Sequence, residues 1–134
     1  AYVAGQSKGL PIAAPLSHPK EKLAYEFGKE LFFYRAGPYD FSCATCHGAS
    51  DKRIRLQKLA NLTNPQQSQN VYATWPAYRY SQGELRTMQH RIWDCFRQQR
   101  FPELQYNSEA MTALMVFLAK NAEGGHYNAP SIKR

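Results

Sequence analysis

Aliphatic residues are scarce in this chain of 134 residues. Leucine, isoleucine, valine and phenylalanine together fill 25 positions, and only seven of those are valine or isoleucine. So few β-branched residues argue against a fold built on a large sheet. A thin aliphatic set with a net charge of +7 leans towards disorder. The aromatics point the other way: nine tyrosines, seven phenylalanines and two tryptophans are too many for a chain that stays unfolded. No run of 18 apolar residues exists, which excludes a membrane-spanning helix. The length suits one domain with a modest core. Such a chain needs a staple or a large bound cofactor to complete its interior.

Cysteine is scarce too. There are three, Cys43, Cys46 and Cys95, and an odd number excludes a fully paired disulfide framework. Cys43-Ala44-Thr45-Cys46-His47 carries the Cys-x-x-Cys-His signature of covalent c-type haem attachment. Each thiol adds to one vinyl group, and the adjacent His47 lies under the porphyrin as the proximal iron ligand. A thioredoxin-like pair would need a βαβ context, and a structural zinc site would need a second ligand pair; neither is present. One haem c is therefore the expected cofactor, and it supplies the apolar body that the aliphatic residues do not. Thioether attachment belongs outside the cytoplasm, so a periplasmic location is expected. Ala1–Pro15 has no apolar stretch of the kind a secretory leader carries, so the numbering is expected to begin at a processed chain.

Residues 1–18, rich in Gly, Pro and Ala, read as an extended arm on the surface, and 19–134 as a monohaem cytochrome c domain. A first helix is predicted from Pro19, which suits the first helical position, to Gly37-Pro38. Leu23, Phe27 and Leu31 form one row along it, and Ala24, Gly28 and Phe32 a second. Gly28 costs about 1 kcal/mol relative to alanine in a helix, so it serves close packing. Residues 48–80 read as loop with short helical pieces. Ser81-Gln82-Gly83-Glu84 has the form of a capping box, predicting a helix in which Leu85, Met88, Ile92 and Cys95 share a face. A last helix is predicted from about Ser108 to Asn121, closed by Gly124-Gly125. The expected fold is all-α: a class I cytochrome c-like arrangement of three main helices around one covalent haem.

The sixth iron position decides the function. Its candidates are Met88, Met111, Met115, His18, His90, His126 and Cys95. Methionine is the usual choice of an electron carrier. Met111 and Met115 lie on the apolar face of the last helix and read as core filling. Met88 competes, because it shares the predicted inner face with Cys95. A free thiol in an oxidising compartment is a liability unless it is used. Arg91 precedes Cys95 by one helical turn, and a nearby guanidinium favours the thiolate that iron binds.

From about Pro19 onwards the chain resembles the haem-binding C-terminal domain of the SoxA family of sulfur-oxidation cytochromes. The matching pieces are Gly28-Lys29-Glu30-Leu31-Phe32, Phe41-Ser42-Cys43-Ala44-Thr45-Cys46-His47, Ile54-Arg55-Leu56 with Leu59-Ala60-Asn61, and Trp75-Pro76-Ala77-Tyr78-Arg79. The most specific piece runs from Met88 to Arg100, with Arg91, Cys95 and Arg100 in an Arg-x-x-x-Cys-x-x-x-x-Arg spacing. The resemblance implies an L-cysteine S-thiosulfotransferase activity. Cys95 would be the distal iron ligand, often carrying a persulfide, and Arg91 the arginine beside the substrate, with Arg100 or Arg79 adding positive charge. Thiosulfate would be joined oxidatively to a cysteine of a SoxYZ-like carrier, and the electrons would leave through haem to a SoxX-like cytochrome. The family carries a further N-terminal cytochrome-like half, and Phe101-Pro102-Glu103 departs from its usual Ala-Glu-Pro. Two other readings stand beside this one: a monohaem electron-transfer cytochrome without catalysis, and a thiosulfate dehydrogenase forming tetrathionate.

The positive charge does not point to nucleic acid, because Lys and Arg are scattered rather than clustered. It suits an anionic substrate or an acidic partner. Arg53-Ile54-Arg55 and Lys58, just after the haem motif, form the expected docking rim.

Overall fold

The computed structural model describes residues 1–54 and 56–134. Arg55 of the expected docking rim lies outside the described residues. The elements run α1 (Tyr2–Gln6), α2 (Pro19–Phe33), α3 (Cys43–His47), β1 (Arg53–Ile54), β2 (Gln57–Lys58), α4 (Pro65–Tyr72), β3 (Ala77–Arg79), β4 (Glu84–Arg86), α5 (Met88–Gln99), α6 (Glu109–Asn121) and β5 (Ser131–Lys133).

Helix α2 begins where Pro19 predicts. His18 caps it, its Nδ1 accepting from the Lys20 amide at 3.1 Å while the Glu21 carboxylate accepts from the His18 amide at 3.0 Å. The two rows on α2 part company. Gly28 and Phe32 are buried, whereas Leu23 and Phe27 stay 70% and 40% exposed. The buried row meets α6 at close range. A Cβ on Gly28 would sit 2.9 Å from the Phe117 Cβ and closer still to the Ala113 carbonyl oxygen. Phe32 packs against Phe117 with the rings tilted and their centroids 5.1 Å apart, and Leu104, Met111, Leu114 and Leu118 complete this core. The last helix is as expected, with the Ser108 hydroxyl accepting from the Met111 amide.

Three expectations need correction. The fold is not strictly all-α: β1 and β2 form a hairpin, and β3 is flanked by antiparallel β4 and parallel β5. Ser81-Gln82-Gly83-Glu84 does not start a helix. Gly83 adopts φ +67°, and the Gln82 and Gly83 amides both donate to the Arg79 carbonyl, making the turn between β3 and β4. A left-handed glycine suits a tight turn, not a helical first turn. Leu85 therefore lies on a strand, 42% exposed, and Thr87 caps α5 through its hydroxyl, which accepts from the His90 amide. Nor is the N-terminal arm wholly extended, since α1 occupies residues 2–6. Beyond it, Ile12 is 2% exposed and packs with Ala73 and Ala122. The Ile12 amide donates to the Gly125 carbonyl at 2.7 Å and its carbonyl accepts from the Gly124 amide at 3.0 Å, tying the arm to the segment after α6. Among the described residues no helix is long and apolar enough to cross a membrane.

Candidate functional site

Helix α3 is one turn long, too short to hold itself together in water. Its cap holds it instead. The Ser42 hydroxyl accepts from the Thr45 amide at 3.1 Å, and the Thr45 hydroxyl accepts from the Ser42 amide at 2.9 Å. Ser42 is 7% exposed, so this box is part of the interior. Cys43 and Cys46, three residues apart, share a helical face. With His47 they line one cavity of about 430 Å³, within the size range of cofactor pockets. The His47 Nδ1 lies 2.9 Å from the Ala60 carbonyl oxygen. A carbonyl only accepts, so Nδ1 carries the proton and Nε2 keeps its lone pair for a metal. Burial lowers the His47 pKa, the Ala60 bond opposes this, and the Arg91 charge adds to it. The net result is a neutral imidazole, the form that ligates.

Phe32, Val71, Trp75, Leu114 and Leu118 give the cavity apolar walls, and α5 closes one side. Met88, Arg91, Ile92 and Cys95 follow at i, i+3, i+4 and i+7, so one face of α5 meets the cavity. Both Cys95 and Met88 therefore line it, Met88 being 9% exposed between Trp75 and Ala77. Met111 is fully buried in the main core, and Met115 packs beside the Trp75 cluster; neither lines the cavity. His18 is occupied as a helix cap, His126 bridges Pro11 in the arm, and His90 bonds the Tyr106 hydroxyl at 2.9 Å. Of the seven sixth-ligand candidates, Met88 and Cys95 are the two that line the cavity.

Cys43, Cys46 and Cys95 form no disulfide with one another. Burial and the Cys95 charge push Cys43 up to about 12. Burial raises Cys46 against the pull of Lys52. Burial also raises Cys95 and outweighs Arg91, which acts in the direction the sequence suggested. Arg91 alone therefore does not make Cys95 a thiolate; a metal bond would have to displace the proton. Asp94, 5% exposed, accepts from Arg97 and Gln98 at 2.8 Å each and lies 3.6 Å from Arg91. Burial opposes its charge, but those bonds and the Arg97 and Arg91 charges hold the carboxyl below its ordinary value.

Arg79 lines the cavity and Arg100 does not. Arg100 ends α5 in a left-handed conformation, φ 56°, its guanidinium 5.8 Å from the Tyr39 ring. Lys58 lines the cavity but pairs with Asp51 at 3.2 Å. Sequence reasoning missed Ser68 and Lys133. Ser68 is 1% exposed, lines the cavity, and its hydroxyl has no hydrogen-bond partner among the described residues. Lys133 lies on β5, whose only sequence signal is the alternation Ser131-Ile132-Lys133.

This donor set fits a c-type haem: two thiols on one helical turn, a neutral imidazole fixed by its other nitrogen, apolar walls, and an unsatisfied hydroxyl for a polar edge. Comparison with known proteins agrees. A family profile described as the SoxA/TsdA cytochrome c domain matches residues 27–126. The L-cysteine S-thiosulfotransferase subunit SoxA of Hydrogenophilus thermoluteolus is 52% identical over 134 residues, covering 100% of this chain and 49% of that protein. The corresponding subunit from Hydrogenobacter thermophilus is 40% identical over 134 residues, covering 99% and 50%. The crystal structure of SoxXA from P. pantotrophus matches with a TM-score of 0.84 at 26% identity, covering 98% of this chain and 47% of that one. The chain spans about half the length of the curated relatives it matches.

Proposed function

This chain belongs to the SoxA/TsdA cytochrome c domain family, and we propose on that footing that it is the haem-bearing, substrate-binding domain of an L-cysteine S-thiosulfotransferase. As a cytochrome c domain it carries covalently bound haem c. Cys43 and Cys46 would hold that group and His47 would ligate its iron. Cys95 would be a second iron ligand, with Met88 the alternative. When bound, that group would supply a one-electron redox centre for the oxidation of sulfur. The observation that carries the reading is the presence of Cys95 and Arg91 on the α5 face lining the cavity that also holds Cys43, Cys46 and His47.

The work of the protein's own residues follows from charge and geometry. Thiosulfate is a dianion, and a guanidinium offers it a planar fork of donors. Asp94 restrains Arg91 one turn from Cys95, so the cation is in place before substrate arrives. The apolar walls keep water scarce, which strengthens the attraction between Arg91 and an oxyanion. In the overall reaction a carrier thiol and thiosulfate form one S–S bond, releasing one proton and two electrons. Cys95 would handle the transferred sulfur. The partners would be a SoxX-like c-type cytochrome to take the electrons and a SoxYZ-like carrier to take the sulfur. A periplasmic setting suits thioether chemistry.

The test is turnover with thiosulfate, an electron acceptor and a protein bearing an accessible cysteine. The wild-type protein should build a thiosulfonate on the acceptor cysteine, and Cys95→Ala and Arg91→Met should abolish it. Unchanged turnover in Cys95→Ala contradicts the reading. Tetrathionate formed without the acceptor would point instead to a thiosulfate dehydrogenase.

A further inference from the structure

Acidic side chains are missing from the cavity wall. Among the described residues that line it there is no Asp or Glu, whereas Lys58, Arg79, Arg91, Lys133 and Arg134 all do. Lys58 is paired with Asp51, and Arg91 shares Asp94 with Arg97. That leaves Arg79, Lys133 and Arg134, of which Arg79 and Lys133 are strand residues. Parallel pairing puts them in register, Arg79 opposite Lys133 and Ala77 opposite Ser131. Successive residues on a strand point to opposite faces. Tyr78 and Ile132 accordingly stay exposed, while Arg79 and Lys133 are half-buried on the cavity face. The Lys133 ammonium lies 5.9 Å from the Trp75 ring centre, and Arg79 donates to the Arg134 main-chain oxygen. The nearest acid by register, Glu84 across from Arg79 on β4, is 2.5 Å from Arg86. Two side-by-side cations in a largely apolar cavity repel each other. Burial lowers the pKa of both, and so does neighbouring positive charge, Arg91 for Arg79 and Arg79 for Lys133, while Asp94 opposes the shift at Arg79.

We infer that Arg79 and Lys133 form a two-cation clamp for an oxyanion on this cavity wall, filled by a carboxylate of the bound haem or by a free sulfur oxyanion. The shared chemistry is a group with two or more oxygens carrying negative charge between a guanidinium and an ammonium. The inference rests on the reading of this cavity as a haem site. It does not need Cys95 to react, so its readouts are kept apart from turnover. Charged and titratable neighbours that bear on the clamp are Glu84 and Arg86 from β4, His90, Arg91 and Asp94 from α5, and Arg134 next to Lys133.

The experiment uses the haem-loaded protein with Lys133→Met, which keeps the apolar stem on Trp75, with Arg79→Met, and with Lys133→Arg, which restores the charge. Two quantities are read: the pH dependence of the haem midpoint potential without added anion, and the dissociation constant of thiosulfate from its effect on the haem spectrum. If a haem carboxylate occupies the clamp, both methionine variants lower the potential and give it a new pH dependence, because an unclamped carboxylate takes up a proton more readily. If a free oxyanion occupies it, no new pH dependence appears and thiosulfate binds about tenfold weaker or worse, the loss of one charge-assisted bond. Lys133→Arg restores wild-type behaviour in either case. The inference is overturned if neither quantity moves in the methionine variants, or if Lys133→Arg behaves like Lys133→Met.

Discussion

Single side chains decide whether this cavity can form at all. Ser42 is the smallest of them with a large role, because its hydroxyl and that of Thr45 hold the one helical turn that presents both haem thiols. Ser42→Ala should cost about 1 kcal/mol of stability, read by denaturant unfolding of the haem-loaded protein. Gly28 is constrained by space. Gly28→Ala would gain about 1 kcal/mol of helix propensity and lose more by driving a methyl into the Ala113 backbone. Overpacking of this kind should leave the variant less stable by roughly 1–3 kcal/mol in the same measurement. Glu123 provides a pH readout. Its carboxylate accepts from the Ala14 amide at 3.3 Å and pairs with Lys120 at 2.5 Å. The Lys120 bond, then the Ala14 bond, hold its pKa below 4.5. Its contribution is therefore complete above 4.5 and is lost as pH falls through the lowered value. The Ala14 amide resonance should titrate with a midpoint below 4.5; a midpoint at or above 4.5 would show that the contact does not form.

At the scale of elements, α5 and the arm carry the argument. The two long packing helices were legible in the sequence, because Pro19 at a first helical position and the row Ala24, Gly28, Phe32 are local signals, whereas the motif Cys43–His47 was legible as a haem motif and not as a helix. The inner face Met88, Ile92, Cys95 was legible for the same reason. The start of α5 was not, because a capping-box pattern says nothing about a left-handed Gly83 or about a neighbouring strand offering partners. Pairing between β3 and β5 is a contact across more than fifty positions, and three-residue strands leave no periodic trace. That is why Lys133 escaped notice while Arg79, inside a longer motif, did not. The arm was read as a surface wrap, and its buried Ile12 makes it part of the packing around Ala73 and Ala122. Ile12→Ala should lower stability by about 2–4 kcal/mol, read by chemical denaturation. A loss below about 0.5 kcal/mol, the range of ordinary surface changes, would mean the arm is only draped over the surface.

For the whole molecule, the aliphatic shortage and the +7 charge have one explanation. The helices pack a small core of Leu, Phe and Met side chains and leave a cavity of about 430 Å³ lined by several cations and, among the described residues, by no carboxylate. A bound haem would fill that space, and on the proposed reading its carboxylates or an anionic substrate would answer the charge. What the sequence could not supply was the choice between Cys95 and Met88, since two helical turns put both on the same cavity wall. The account turns on that choice. The most direct measurement is the near-infrared and paramagnetic resonance spectrum of the ferric, haem-loaded protein, compared with those of Cys95→Ala and Met88→Leu. Thiolate signatures should be present in the wild type, kept in Met88→Leu and lost in Cys95→Ala. A wild-type methionine signature that vanishes in Met88→Leu and survives in Cys95→Ala would contradict the account and make the chain a plain electron carrier.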